Sequence, residues 1–238
     1  MNQKKGKLDE SKEWYRKTLN QRMDKLAETR EWYKETLARR VIKSLERNNM
    51  AGVYVRTKEE ALDKVINLIP EGSKVGLGGS LSLEQIGLQE VLRAGNYRFV
   101  EREAPGLSED EAQELRKESI TADVFLTSTN ALTMDGKLVN IDGSGNRVAA
   151  ISFGPGKVIV VAGINKIVPD FEAAIRRIKD YVTPIHAGRR DRPVPCAQTG
   201  VCVDCHTPAR MCNVVCIIEN QRYKDRMTII IVGEELGL

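Results

Sequence analysis

Four short apolar runs, Lys74–Leu77, Asp123–Leu126, Val158–Ala162 and Met227–Val232, constrain the fold of this chain more than any other feature. Each is continuous and bounded by turn residues, the pattern of strands buried on both faces of a largely parallel sheet. Val53–Val55 and Tyr97–Val100 read as two further strands. Helical segments fall between them. Thr57 through Glu60 has the form of a capping box and opens a helix to about Leu68. Ser108 through Glu111 caps another, and Pro169–Tyr181 is amphipathic. Strands alternating with helices through short links predict an α/β fold with a doubly wound, mostly parallel sheet. The 238 residues suffice for one such domain plus appendages.

One appendage is an N-terminal helical arm over residues 1–50. Tyr15, Leu19, Met23, Leu26, Tyr33, Leu37, Val41 and Leu45 recur at spacings of four, three or seven, the stripe of a long helix or two in tandem. Glu13-Trp14-Tyr15-Arg16-Lys17-Thr18-Leu19 returns as Glu31-Trp32-Tyr33-Lys34-Glu35-Thr36-Leu37, displaced by 18 residues. That is about five helical turns, so both Trp-Tyr pairs project from one side. The stripe suits packing on the chain's own domain or a clamp on a partner subunit, and an exposed dimerising arm would do both. The α/β domain then spans residues 51–238, with Pro184–Cys216 as an inserted loop rich in Pro, Arg and Cys.

Composition narrows the function classes. Net charge is only +4 and much of the excess sits in local runs such as Arg189-Arg190-Asp191-Arg192, which argues against a nucleic-acid surface. No apolar run approaches the roughly 20 residues that span a bilayer, and no apolar stretch follows the basic start, so neither a membrane span nor a signal peptide is expected. The reading is cytoplasmic.

Three constellations are placed to carry chemistry. In the first, Gly76 through Gly87, a strand ends in glycines and a helix opens at serines. Gly78, Gly79, Ser80 and Ser82 would cradle an anion on free amides and hydroxyls, or form a tight strand–helix turn with serine caps. Glu84 is the candidate catalytic carboxylate there, as base or nucleophile, with a helix-dipole role the favoured alternative. The second is the polar stretch Thr127–Arg147. Asp135-Gly136 is ordinary hairpin chemistry. Thr129 and Asn130 follow a strand, and Asp142 through Arg147 holds two glycines, Asn146 and a guanidinium whose fork fits a carboxylate or phosphate. The alternative is an Arg147–Asp142 ion pair that locks the loop. Lys166 follows a buried strand where open sheets place ligands, and would neutralise an anion or stay solvated. His186 reads as structural.

The third is the cysteine set. Cys196, Cys202, Cys205, Cys212 and Cys216 are all five of the chain's cysteines, with His206 beside them. In a reducing compartment such clustering points to metal or redox chemistry. The spacing suits tetrahedral zinc or an iron–sulfur cluster and matches neither common ferredoxin run. Inert thiols remain open.

The runs GGSLSLEQIG, TSTNALTMDGKLVNIDGSGNRVAAISFGP and VIVVAGINKIV, with the PCAQTGVCVDC tail, resemble the LUD-domain family, the family of the lactate-utilisation protein C subunits. The likeness runs from about residue 40 to the C-terminus. It implies a fold related to ribose-5-phosphate isomerase and CoA transferases, and association with iron–sulfur enzymes that oxidise lactate. The expected function is a lactate-utilisation-type protein. It would bind a hydroxyacid or a phosphorylated or CoA-linked metabolite and work with an iron–sulfur partner subunit, as a homo-oligomer joined through the N-terminal helix. A non-catalytic sensing or assembly subunit, and a stand-alone isomerase or CoA-transferase-like enzyme, are the alternatives.

Overall fold

A computed structural model of the chain describes residues 2–238, with side chains from Lys12 onward. Two compact units emerge, one ending at Leu37 and one comprising Ala38–Leu238. Helix α1 runs from Asn2 to Arg47. Within the first unit Trp14, Tyr15, Trp32 and Tyr33 are exposed, the two tryptophans at 67% and 64%. Leu19, Met23 and Leu26 are exposed too. The α/β unit starts earlier than residue 51, because Ala38, Val41 and Leu45 are fully buried in its core.

The second unit follows the expected rhythm. Its elements are β1 (Ala51–Val55), α2 (Lys58–Ile66), β2 (Lys74–Leu77), α3 (Leu81–Gln85), α4 (Leu88–Ala94), β3 (Arg98–Val100), α5 (Glu109–Ile120) and β4 (Val124–Thr127). Then come β5 (Ala131–Thr133), β6 (Leu138–Asp142), α6 (Asn146–Ser152), β7 (Lys157–Gly163), β8 (Ile167–Val168), α7 (Phe171–Arg177), α8 (Thr183–Gly188), α9 (Pro195–Thr199), β9 (Val214–Ile218) and β10 (Met227–Val232). The caps behave as their residue types dictate. Ser108 and Glu111 form the full reciprocal box. The Thr57 hydroxyl accepts from the Glu60 amide, while the Glu60 carboxylate reaches one residue further back, to the Arg56 amide at 2.8 Å.

Six strands form one wholly parallel sheet in the order β1-β10-β7-β4-β2-β3. Alternate residues of its central strands serve opposite faces. Leu77, Leu126, Ile159, Val161 and Ile230 pack on helices α2 to α4 through Ala61, Val65, Leu83, Leu88 and Leu92. Phe125, Val158, Val160, Ile229 and Ile231 face the other way. Helices alone do not cover that second face. A small sheet, β8-β5-β6-β9, lies over it through Leu132, Leu138 and Ile218, beside Ala150 and Ile151 of α6 and the buried end of α1. The small sheet's outer side, Ala131, Val139 and Ile141, packs on Ala174 and Ile178.

The Asp135-Gly136 turn joins β5 to β6 as anticipated. Gly136 has φ +83°, and a Cβ there would stand 2.8 Å from the backbone of Ser44 and Leu45. The segment 184–216 is not a plain loop. Pro195 sits in the first turn of α9, where a missing N–H costs nothing, whereas Pro184 lies inside a helical run that continues from α7 through a π-helical turn, Ile178–Val182, into α8. Its C-terminal end enters β9.

Candidate functional site

Because every strand of the large sheet points the same way, the C-terminal strand ends share one edge. From β2 the chain moves outward to β3, and from β4 it moves the opposite way through β7 and β10. The β2/β4 boundary is therefore a topological switch point, where open α/β sheets form a ligand crevice.

A cavity of about 580 Å³ opens at this edge. It is lined by Gly79, Ser80 and Leu81 after β2, by Ser128, Thr129 and Asn130 after β4, and by Lys166 after β7. Asp142, Ser144, Asn146 and Arg147 from the β6–α6 loop complete that wall. The two loops singled out in the sequence thus meet. At Gly78 an added Cβ would stand 2.7 Å from the Thr127 Oγ1 and 3.3 Å from the Arg147 Cγ, so only glycine allows the close approach. Gly78 is itself buried behind the lining. Ser80 accepts from the Leu83 amide as the cap of α3, while Ser82 points inward and is fully buried. Glu84 is exposed and does not line the cavity.

The ion-pair alternative for the β6–α6 loop is present. Arg147 Nε donates to Asp142 Oδ1 at 2.8 Å, and its Nη2 donates to Asn130 Oδ1 at 2.9 Å and the Ile141 carbonyl at 3.1 Å. Asp142 and Arg147 are only 9% and 13% exposed, and the second carboxylate oxygen accepts from the Val148 amide. Asn130 Oδ1 also accepts from the Ile141 amide, and Thr129 Oγ1 donates to the Ala131 carbonyl. These groups build the wall before any ligand arrives.

Lys166 is 4% exposed, and its Nζ donates to Ser128 Oγ at 2.8 Å and Ser82 Oγ at 2.9 Å. Among the described residues it has no carboxylate partner. Burial above all, then the charges of Arg177 and Arg147, pushes its pKa down to about 7. The lysine is neither solvated nor a simple surface countercharge.

The opposite wall and rim are basic. Arg102, Arg116, Arg189, Arg190, Arg192 and Arg210 line the cavity with Arg147 and Lys166, against two carboxylates, Glu109 and Asp142. Each of those carboxylates already holds an arginine, Arg116 at 2.7 Å and Arg147. Burial pushes the Arg102 guanidinium down from its usual range, and nearby Arg116 and Arg190 add to that. His186 also lines the cavity. Burial and then Arg189 and Arg190 lower its pKa to about 4, and its Nδ1 accepts from Arg189 Nε, so it is a neutral acceptor at pH 7. Sequence reasoning did not single out Ser128, which lay inside a quoted run, nor Arg102 and Arg116. The run Arg189–Arg192 was visible only as a charge excess.

The cysteines divide. Cys196 is buried, and burial followed by the proximity of Cys212, Cys205 and Cys202 raises its thiol pKa. Cys216 lies on β9 with its Sγ 3.6 Å from Ser152 Oγ, apart from that group. Among the described residues no three His, Cys, Asp or Glu side chains are arranged to hold a metal ion.

The model of the LUD domain matches residues 38–232. The chain belongs to the LUD-domain family. That family is associated with lactate utilisation, and the match starts where the compact α/β unit starts. A solved DUF162-family protein from Deinococcus radiodurans is similar over 84% of this chain and 98% of its own, with 15% identity and a TM-score of 0.47. No curated protein matches the chain. No helix of the described residues is long and apolar enough to cross a membrane.

Proposed function

We propose that this LUD-domain protein binds a small polyanionic metabolite in the switch-point cavity, as a component of a cytoplasmic lactate-utilisation system working with an iron–sulfur partner subunit. One observation carries the reading: seven arginines line the cavity against two carboxylates that are already paired. Concentrated cations around a concave, partly apolar site raise the local concentration of anions and favour phosphate or carboxylate recognition. The ligand class is a hydroxyacid or a phosphorylated or CoA-linked metabolite. Gly79, Ser80, Asn130, Asn146 and Lys166 would contact its acidic or hydroxyl groups, while Gly78, Ser82, Thr129, Asp142 and Arg147 hold the wall. Arg190 and Arg192 at the rim have no ion-pair partner among the described residues.

Binding is tested on those rim arginines, because removing Arg147 would strand a buried Asp142 and report on folding instead. Calorimetric titration with pyrophosphate, lactate and coenzyme A should give saturable binding of at least one. Arg190→Gln with Arg192→Gln should weaken it about tenfold or more, roughly 1.4 kcal/mol. The melting temperature should stay near wild type, as exposed substitutions usually leave it. An unchanged affinity in the double variant would sink the proposal.

Two accompanying readings have narrower support. The repeated Trp-Tyr pairs, about 27 Å apart on one side of α1 at 1.5 Å per residue, suit antiparallel pairing with a second copy of this chain. Sedimentation of the full chain against Trp14→Glu would reveal it. The cysteine segment is read as a zinc or iron–sulfur centre, supported by its spacing and by the gathering of Cys196, Cys202, Cys205 and Cys212. Those thiols do not converge on one point, so no chemical step is assigned to it. Anaerobic purification with metal and sulfide analysis decides between the two metals and free thiols.

A further inference from the structure

Three adjacent strands each deliver one polar side chain to a single point beneath the cavity. Ser82 follows β2, Ser128 follows β4 and Lys166 follows β7, with Lys166 Nζ 2.8 Å from Ser128 Oγ and 2.9 Å from Ser82 Oγ. Ser128 and Lys166 both line the cavity, whereas Ser82 lies behind them. An amine buried among hydroxyls, without a carboxylate, is a poor structural device, since the charged form is heavily penalised there and an apolar side chain would pack at no such cost. Perturbed, desolvated titratable groups beside a cavity mark chemistry more often than architecture.

We propose that Ser128 is a nucleophile and Lys166 its general base, a dyad that cleaves a small ester or thioester whose leaving group carries phosphate or carboxylate. The leaving-group class rests on the anion-binding reading of the cavity; the dyad does not. The chemistry balances with water as the only co-reactant. The neutral amine takes the proton of the Ser128 hydroxyl as Oγ bonds to the acyl carbon. The bond from that carbon to the leaving oxygen or sulfur breaks, and the leaving group departs with the proton held by Lys166. Water then repeats the sequence on the acyl-serine, transferring a proton to Lys166 and releasing the acid and Ser128.

Geometry favours serine over lysine as the attacking group. Ser128 Oγ accepts from the Lys166 amine at 2.8 Å, while its own two acceptors, Ser82 Oγ and the Thr129 carbonyl, are both at 3.4 Å, so the amine is its short partner and takes the hydroxyl proton once neutral. Lys166 Nζ is hemmed in by two hydroxyls and by Gly237, where an added Cβ would be 3.1 Å from Nζ and 2.7 Å from Ser82 Oγ. Burial and the nearby charges of Arg177 and Arg147 keep the amine largely deprotonated above neutral pH, as a base requires. Ser82 is a positioning residue that orients the amine.

The test is acetylation of the full chain by p-nitrophenyl acetate, with the modified residue located by peptide mass spectrometry. One acetyl group per chain on Ser128 is expected, lost in Ser128→Ala and formed roughly 100-fold more slowly in Lys166→Met. The site of the label in the unaltered chain needs no variant to fold. Acetyl on Lys166 instead, no label on Ser128, or an unslowed Lys166→Met each overturns the dyad. Pyrophosphate added as competitor separates the two readings. Protection of Ser128 supports both. Labelling that pyrophosphate leaves unchanged upholds the dyad and removes its substrate class. Calorimetric binding of pyrophosphate with no acetyl-Ser128 keeps the anion site and sinks the dyad.

Discussion

At the scale of the residue, Lys166 shows how burial changes what a side chain is for. Its folded-state pKa of about 7 lies below the ordinary 10.5, so the unfolded chain binds more protons between those values. Stability therefore rises with pH across that window, and below pH 7 the whole penalty of burying the ammonium is present. Thermal unfolding from pH 6.5 to 10 should show a melting temperature that climbs more in the unaltered protein than in Lys166→Met, the difference isolating this amine from other titrating groups. Parallel curves would mean that Lys166 is charged in the fold. The position of Lys166 just past a buried strand could be read from the sequence, since the apolar run Val158–Ala162 ends shortly before it. The sequence did not show the hydroxyl partners, since Ser82 and Ser128 are 46 residues apart and meet only when β2 and β4 pair. Arg147 was legible in type and spacing, but which partner its fork takes is a matter of loop geometry.

At the scale of the element, the large sheet was the legible part, because strands buried on two faces must be largely apolar, and β2, β4, β7 and β10 are so apart from Lys74, Thr127, Lys157 and Thr228. Of the small sheet only the Asp135-Gly136 hairpin was. Its strands β5 and β8 are three and two residues long, below the length at which a periodicity reads, and β9 carries exposed valines. The turn that closes its hairpin is where it can be weakened selectively. Gly136 combines a left-handed φ with backbone atoms of Ser44 and Leu45 against the missing side chain, and Asn48 Nδ2 donates to the Asp135 and Gly136 carbonyls at 2.8 and 3.1 Å. Gly136→Ala should cost about 1–3 kcal/mol in urea unfolding. Gly72→Ala, also at positive φ but with open space around it, should cost less. Equal losses would show that φ alone, and not the close approach, sets the cost.

At the scale of the whole α/β unit, the cavity joins parts of the chain with different local stability. One wall is the rigid edge of a sheet whose central strands are fully buried. The other is the segment from His186 to Asn213, short helices and turns with many exposed residues and few backbone bonds to the sheets. Segments of that kind open at low free-energy cost, and a ligand that bridges both walls is bound only when they are closed. A polyanion spanning the cavity should therefore slow amide exchange over residues 186–213, while β7 and β10, already slow in the free protein, change little. Hydrogen exchange with and without saturating pyrophosphate measures this directly. Protection confined to the loop after β2 would place the anion on the sheet edge alone and leave the basic rim without a part in binding. Protection of both walls would mean that the arginines of one late segment and the loop ends of three strands act on the same guest, which only the folded order of the strands brings together.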